Sequence, residues 1–396
     1  MANIQVPQNP GFPDVYQWEL NDDVIGGPEG TATRPIRQLT ERTANVNKRV
    51  AEIETLIESG EIGGGGTHKN YGNVPFLFAS DKRELSLIDG GELDVESLLD
   101  TGNLVNGKDY YLFECSSPNG EKSYKVSLTK SAPQGMNPED VELIGGFHTL
   151  CVDVGAGLTY SEGEEVKTHP LIGYVAGDIL PASVWCLNHR PYSEPEGMVY
   201  IKSLDFWCDI YLQSGSGEYT KSEYQGAITR NRQYVDFVED QFCVRKQLLD
   251  DAEFAAAMLG SNEQTSVAGA SEAGATTNGA GGRVDTANRR MISVYGVEEG
   301  CGSLWQWLNS TGGGGAVGSA HIGSGWQAMT TSAYGPYAQN GGKGSFWGLA
   351  IALLAGGAWS SAAGCGSRAR NASYARSYSY ANCGGRGRSR PMRSIG

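Results

Sequence analysis

Apolar and β-branched residues between positions 35 and 59 recur at alternating spacings of three and four. They are Ile36, Leu39, Thr43, Val46, Val50, Ile53 and Ile57. This is the a/d pattern of a coiled coil over about three heptads, and β-branched residues at most of these positions favour three strands over two. Pro35 suits the first turn of such a helix. The alternative is an ordinary amphipathic helix that packs on its own domain.

The residues on either side of this pattern predict non-helical segments. Residues 1–34 are rich in proline and glycine and are predicted to be extended, whereas residues 60–66 (GEIGGGG) predict a flexible linker. The first 14 residues lack the basic and apolar regions of a signal peptide. The longest apolar run, residues 346–359, is too short to span a bilayer, so we expect no membrane insertion.

Short β-prone runs between turn signals fill the middle of the chain. Residues 76–78, 110–115, 124–128 and 207–212 are predicted to be strands. Residues 244–259 change to a helical period that ends at Gly260. We therefore expect an α+β protein with an extended segment at 1–34, a trimeric coiled coil at 35–59, a linker at 60–66, a β-rich domain at 67–150 and a further domain at 151–396.

Charge and cysteine content exclude several classes of protein. The chain has 31 Lys and Arg against 45 Asp and Glu, a formal charge of -14, which argues against nucleic-acid binding. No Asp or Glu follows Glu299. None of the eight cysteines forms a CxxC pair, so a zinc ribbon is not expected and most cysteines are predicted to be buried as small apolar residues.

Residues 358–383 contain almost no large aliphatic side chain. Tyr378, Tyr380 and Asn382 alternate with small residues, so an extended chain would place these three on one face. Tyrosine combined with serine, asparagine and glycine is typical of binding loops. The alternative is a loop that is merely exposed and polar.

Catalytic and metal chemistry find little support in this segment. His148 and His321 are interpreted as structural or surface groups. No carboxylate follows Glu299 that could orient His321 as a catalytic base or hold calcium in this segment. The sequence indicates no enzyme, no metal and no cofactor.

Four glycine-rich motifs near the C-terminus carry a resemblance to a known fold. They are residues 302–307 (GSLWQW), 356–359 (GGAW), 366–369 (GSRA) and 385–387 (GRG). Together they resemble the C-type-lectin-fold variable domains that retroelements diversify. Upstream residues 107–115, 131–133, 144–148 and 209–212 are similar to the major tropism determinant family of phage tail-fibre receptor-binding proteins. The resemblance covers about residues 100–396 and implies that residues 151–396 form a C-type-lectin-like variable domain. Residues 16–42 separately resemble attachment segments of phage tail fibres, which implies an attachment segment at 1–34.

The resemblance implies a homotrimer at the tip of a virion tail fibre, made in the host cytoplasm and bound to other tail-fibre or baseplate proteins. A diversified face would recognise a host receptor, either a glycan or an outer-membrane protein. Tyr334 or Tyr337 is a further candidate for this face. By position, the receptor-binding residues would be Ala358, Ser360, Ala362, Gly364, Asn371, Ser373, Tyr374, Tyr378, Tyr380, Asn382 and Cys383. Arg368 and Arg386 lie in the scaffold motifs and are predicted to be structural.

Three other functions are alternatives to receptor binding. A formylglycine-generating oxidase shares the fold in outline but needs two cysteines five residues apart, and Ser361 stands where the first would be. A purely structural tail-fibre or baseplate protein is the second alternative. A cellular, surface-displayed lectin-like protein is the third, and the absence of a signal-peptide pattern argues against it.

Overall fold

A computed structural model describes most of the chain beyond residue 76. The described residues are 77–87, 91–116, 121–162, 164–314, 326–329, 344–347 and 349–392. The predicted attachment segment, coiled coil and linker lie outside them, as do His321, Tyr334 and Tyr337. The described residues belong to one compact unit, residues 73–396. None of the helices among them is long and apolar enough to cross a membrane.

A small antiparallel sheet opens the described structure. Its strands are β1 (Leu77–Asp81), β2 (Glu84–Leu87) and β3 (Gly91–Asp94), in that order. The short helix α1 (Val95–Leu98) follows directly, because the Asp94 carboxylate accepts a hydrogen bond from the Glu96 amide and caps the first turn. Leu85 and Val95 are fully buried beneath the sheet.

The second sheet has the order β5-β4-β6-β9. Its strands are β4 (Asp109–Ser116), β5 (Lys122–Ser127), β6 (Val141–His148) and β9 (Trp185–Cys186). The predicted strand at 110–115 is confirmed. Because β9 pairs with Gly145 and Gly146, the sheet extends past the domain boundary that the sequence placed at residue 150. A hairpin of β7 (Thr159–Glu162) and β8 (Glu165–Thr168) lies between β6 and β9 along the chain.

Two further four-stranded sheets build the C-terminal half. One has the order β10-β11-β19-β12, with β10 (Met198–Ile201), β11 (Phe206–Asp209), β12 (Gln247–Leu248) and β19 (Gly387–Ser389). The other has the order β17-β16-β13-β18, with β13 (Trp305–Gly314), β16 (Leu349–Gly356), β17 (Gly366–Asn371) and β18 (Cys383–Gly384). Strands β14 (Trp326–Met329) and β15 (Gly344–Trp347) pair separately.

The helices differ from the sequence prediction. They are α2 (Tyr234–Cys243), α3 (Asp251–Ala257) and α4 (Glu272–Thr276). The single helix predicted at 244–259 is wrong, since β12 lies inside that range. Helix α3 begins only at Asp251 because the Asp250 carboxylate caps the Glu253 amide in a capping box.

The sheet of β13 and β16 separates two apolar clusters. Trp307 and Leu354 face the cluster that α2 covers, whereas Leu308 and Ala355 face the main core. This alternation follows from the two-residue period of a strand. All eight cysteines are unpaired thiols and seven are buried, which confirms the prediction of small apolar cysteines; Cys243 is exposed.

Candidate receptor-binding surface

Two loops that we name display loop 1 (residues 357–365) and display loop 2 (residues 372–382) contain most of the predicted site. Loop 1 connects β16 to β17, and loop 2 connects β17 to β18. Loop 1 leaves the sheet at Gly356, while loop 2 returns to it at Cys383, which pairs with Trp305 at the start of β13. Because Gln306 pairs with Ala355, Trp305 lies beside Gly356, so loop 2 ends at the edge of the sheet where loop 1 begins.

The backbone of display loop 1 is held by two hydroxyl groups, one inside the loop and one outside it. The Ser361 hydroxyl accepts a hydrogen bond from the Ala358 amide at 3.0 Å, and the Ser266 hydroxyl accepts one from the Ala362 amide at 2.9 Å. These bonds leave the side chains of Ser360 and Ala362 exposed, together with Gly364. A Cβ atom added at Gly364 would meet no atom within 4 Å. The loop therefore offers open positions on a fixed backbone.

Display loop 2 carries a stack of three tyrosines. The ring centroids of Tyr374 and Tyr378 lie 4.0 Å apart with 24° between the planes. Those of Tyr378 and Tyr380 lie 5.6 Å apart with 18° between the planes. Tyr380 is 54% exposed, whereas the other two are half-buried. Burial is the main cause that raises the pKa of Tyr378 above its usual value, and a hydrogen bond with Tyr374 raises it further. The Tyr378 hydroxyl is therefore protonated and uncharged.

The tyrosine stack rests on the apolar cluster of the sheet and α2. Tyr374 and Tyr378 pack against this cluster, which includes Trp307 and Phe237. The backbone of loop 2 is tied to the segment before α2, because the Asn231 amide donates to the Tyr380 carbonyl at 3.3 Å and the Tyr234 amide to the Arg376 carbonyl at 3.2 Å. The outer tyrosine is thus presented to solvent from a rigid base.

The eleven predicted residues fall into three groups. Five are exposed: Ser360, Ala362, Gly364, Ser373 and Tyr380. Four are half-buried: Asn371, Tyr374, Tyr378 and Asn382. Two are buried: Ala358 at 0% and Cys383 at 1% exposure.

The buried pair, Ala358 and Cys383, corrects the sequence prediction. Cys383 is part of the cluster beneath the tyrosine stack, and Ala358 is a buried residue of loop 1 whose carbonyl accepts from the Cys365 thiol at 3.5 Å. Neither side chain reaches solvent in this conformation, so neither belongs to the surface proposed below. An alternating pattern in the sequence cannot distinguish an exposed small residue from a buried one.

Two carboxylates of α3 pair with three of the arginines in and after this carboxylate-free segment. Arg370 pairs with Asp251, and Arg388 and Arg390 both pair with Glu253, at 3.1 and 2.9 Å. Arg376 lies over the Tyr234 ring at 5.9 Å. The segment is therefore much less basic in the folded protein than its composition suggests.

Arg386 is a scaffold residue, as predicted. Its guanidinium is fully buried and donates to four acceptors, which are the Gln306 Oε1 atom and the carbonyls of Asp209, Ile210 and Glu298. A Cβ atom at the neighbouring Gly385 would lie 2.6 Å from the Phe237 ring, and one at Gly387 would lie 2.2 Å from the Gln241 Oε1 atom. Both positions therefore require glycine. The same role predicted for Arg368 is not supported, since its side chain is exposed.

His148 has the structural role that the sequence predicted. It is buried, with Nδ1 at 2.8 Å from an Asp109 oxygen and Nε2 at 3.0 Å from the Tyr211 hydroxyl. In the described part of the chain, no group of three or more His, Cys, Asp or Glu side chains is arranged to hold a metal ion. Sequence reasoning missed the support that residues 230–234 and α2 give to loop 2, because only tertiary contact joins them.

Comparison with known proteins agrees with this architecture. Residues 89–186 match the family model of the Mtd second domain. Over 306 residues, 72% of this chain and 71% of the relative, the chain is 27% identical to a tail fiber receptor-binding protein of Bordetella phage BPP-1.

Solved structures of major tropism determinant variants have a similar fold. The M1 variant gives a TM-score of 0.60 at 23% identity, covering 81% of this chain and 84% of the variant. The U1 variant gives 0.58 at 23% identity, covering 80% and 84%. Residues 89–186 are thus similar to the Mtd second domain, and the chain as a whole has a fold similar to that of the major tropism determinant variants.

Proposed function

We propose that this chain is the receptor-binding protein of a phage tail fibre and that it recognises a receptor on the host bacterium through its two display loops. The tyrosine stack carries this proposal, because it presents large aromatic area from a rigid base at one end of a lectin-like sheet. The similarity to a phage tail fiber receptor-binding protein supports the same function.

The proposed contact surface consists of the nine exposed or half-buried candidates. Tyrosine gives large contact area at low entropic cost, and the small polar residues around it adapt their hydrogen bonds to a partner. Exchange at Ser360 or Gly364 would leave the core unchanged, because these positions are exposed on fixed backbone. This property is what a face diversified by a retroelement requires.

The assembly belongs to the same proposal. Three chains would associate through the predicted coiled coil at 35–59, and residues 1–34 would attach the trimer to other tail-fibre or baseplate proteins of the virion. A trimer on several fibres multiplies weak single-site binding by increasing the effective concentration of the remaining sites. The protein would act as an adhesin without catalytic activity or cofactor.

Adsorption of phage that carry variant protein tests the proposal. We expect the combined Tyr378→Ala and Tyr380→Ala change to lower the adsorption rate by roughly tenfold or more, since aromatic anchors dominate binding energy. Tyr192→Ala is the matched control, because Tyr192 is 57% exposed but lies outside both display loops. Sedimentation must first show that each variant keeps the oligomeric state of the parent protein.

The adsorption result also separates the alternative functions. Unchanged adsorption by the tyrosine variant would favour the purely structural fibre protein and overturn the proposal. Neighbouring DNA gives a second test, in which a near-copy of codons 358–383, differing only at adenines and next to a reverse-transcriptase gene, is expected if the face is diversified.

A further inference from the structure

A polar cleft of about 670 Å³ is lined by residues that precede both display loops in the chain. Its lining includes Tyr224 and Gln225 from one segment and Thr276, Thr277 and Asn278 from another. The two segments are joined, because the Gln225 amide donates to the Ala280 carbonyl at 2.8 Å and the Ala280 amide donates to the Gly226 carbonyl at 3.0 Å. Its volume lies within the range of about 300–1,000 Å³ that small-molecule sites occupy.

No charged side chain in the lining of the cleft is free to pair with a charged ligand. Arg283 is the charged residue in its lining, and its guanidinium is already engaged. It donates to the carbonyls of Gly274 and Thr277 at 2.7 and 3.0 Å and pairs with the buried Glu299 carboxylate at 2.9 Å. A phosphate, a carboxylate or an ammonium group would therefore find no counter-ion in the cleft, and burying such a group unpaired is costly.

Hydrogen-bonding capacity in the cleft is supplied by neutral side chains. The amides of Gln225 and Asn278 and the hydroxyls of Tyr224 and Thr277 each donate and accept. Sugar hydroxyls need both kinds of partner at once. Tyr224 adds an aromatic side chain that lies close to the backbone of Gly107 and Gly281, where an added Cβ would be within 3.0 Å of it. Aromatic rings provide apolar contact for the C–H groups of a sugar.

The cleft lies next to display loop 2 along two elements. Glu272, at the start of α4, pairs with Arg230, and the Arg230 guanidinium also donates to the Ala381 carbonyl at 3.4 Å. Thr276, at the other end of α4, lines the cleft. The rise along four helical residues is about 6 Å, so a ligand in the cleft would lie close to the receptor-binding surface.

From these observations we propose that the cleft binds a neutral saccharide and forms an invariant subsite beside the diversified face. Its lining residues all precede residue 284, so its specificity would stay constant while the display loops change. The suggestion that this sugar belongs to the host surface rests on the proposed function; sugar binding itself does not.

Saturation-transfer NMR on the full chain tests the proposal with neutral disaccharides (maltose, lactose, trehalose) and the charged comparators galacturonate and glucosamine. We expect transfer to at least one neutral disaccharide at millimolar concentration and weaker transfer to the charged sugars. Asn278→Gly should weaken binding about fivefold, the value of one hydrogen bond. Asn278 has a φ of 67°, which glycine adopts without strain.

Asn288→Gly is the matched control. Asn288 is also exposed, has a φ of 58° and does not line the cleft, so this variant should bind sugar like the parent protein. Absence of transfer to every neutral disaccharide, stronger binding of a charged sugar, or equal binding by Asn278→Gly and the parent would each overturn the proposal. The tyrosine variant should keep sugar binding even if it loses adsorption, so the two proposals can fail separately.

Discussion

Replacing Arg386 by methionine should destabilise the fold strongly, because this buried guanidinium joins three parts of the scaffold. Its four hydrogen bonds reach β11, β13 and residue 298, at distances of 2.6 to 3.0 Å. Methionine fills similar space but donates none of them. The four acceptors would then be left without this donor in the interior.

The size of the effect follows from two opposing terms. Leaving a buried acceptor without any donor costs about 1–3 kcal/mol, which applies to the Gln306 Oε1 atom and the Glu298 carbonyl. The Ile210 carbonyl keeps the Glu298 amide at 2.8 Å and the Asp209 carbonyl keeps the Cys208 thiol at 3.4 Å, so these two lose one hydrogen bond each. Removing the guanidinium also removes the cost of burying its charge, the same burial that lowers the pKa of Arg386 below its usual value. Because this gain offsets part of the loss, we expect a net decrease of roughly 3–5 kcal/mol in the free energy of unfolding.

Unfolding in guanidinium chloride, monitored by tryptophan fluorescence, measures this decrease in the free energy of unfolding. Arg386→Lys should give an intermediate loss, since one ammonium cannot match the planar geometry of the guanidinium. Arg368→Met is the control, and its exposed side chain predicts a change within about 0.5 kcal/mol. A loss below about 1 kcal/mol for Arg386→Met would refute the reasoning, because it would mean that water or rearrangement satisfies the four acceptors.

Two further predictions follow from the loops and the core. Gly357→Ala should destabilise the protein by roughly 2 kcal/mol or more, because Gly357 has a φ of 86° and its Cβ would lie 2.8 Å from the Cys365 sulfur. Gly364→Ala in the same loop should be almost neutral, and equal unfolding midpoints for the two variants would contradict this. Burial lowers the pKa of His169 to about 4, below about 6.5 in the unfolded chain, so stability is full above pH 6.5 and is lost as pH falls toward 4. His169→Gln should remove this loss, which denaturation midpoints at several pH values would reveal; unchanged acid sensitivity would argue against it.

Local sequence signals identified much of the architecture. The strand at 110–115 and the buried cysteines were predicted from β-propensity and apolar character, and both are observed. The single helix predicted at 244–259 is not observed. The apolar residues in this range belong to two elements, the short strand β12 and the helix α3. Periodicity records the spacing at which apolar residues recur, but it does not show which element buries each of them.

For the candidate site, the sequence determined the chemistry of the segment: tyrosine, serine and glycine at alternating positions, without any carboxylate. Only the tertiary structure decided which of these residues reach solvent. It places Ala358 and Cys383 in the interior and joins Tyr374, Tyr378 and Tyr380 in one stack. It also pairs Arg370, Arg388 and Arg390 with two carboxylates more than 100 residues away. The physical reason is that burial and charge pairing depend on contacts between distant segments, whereas composition and spacing record only the order of residues along the chain.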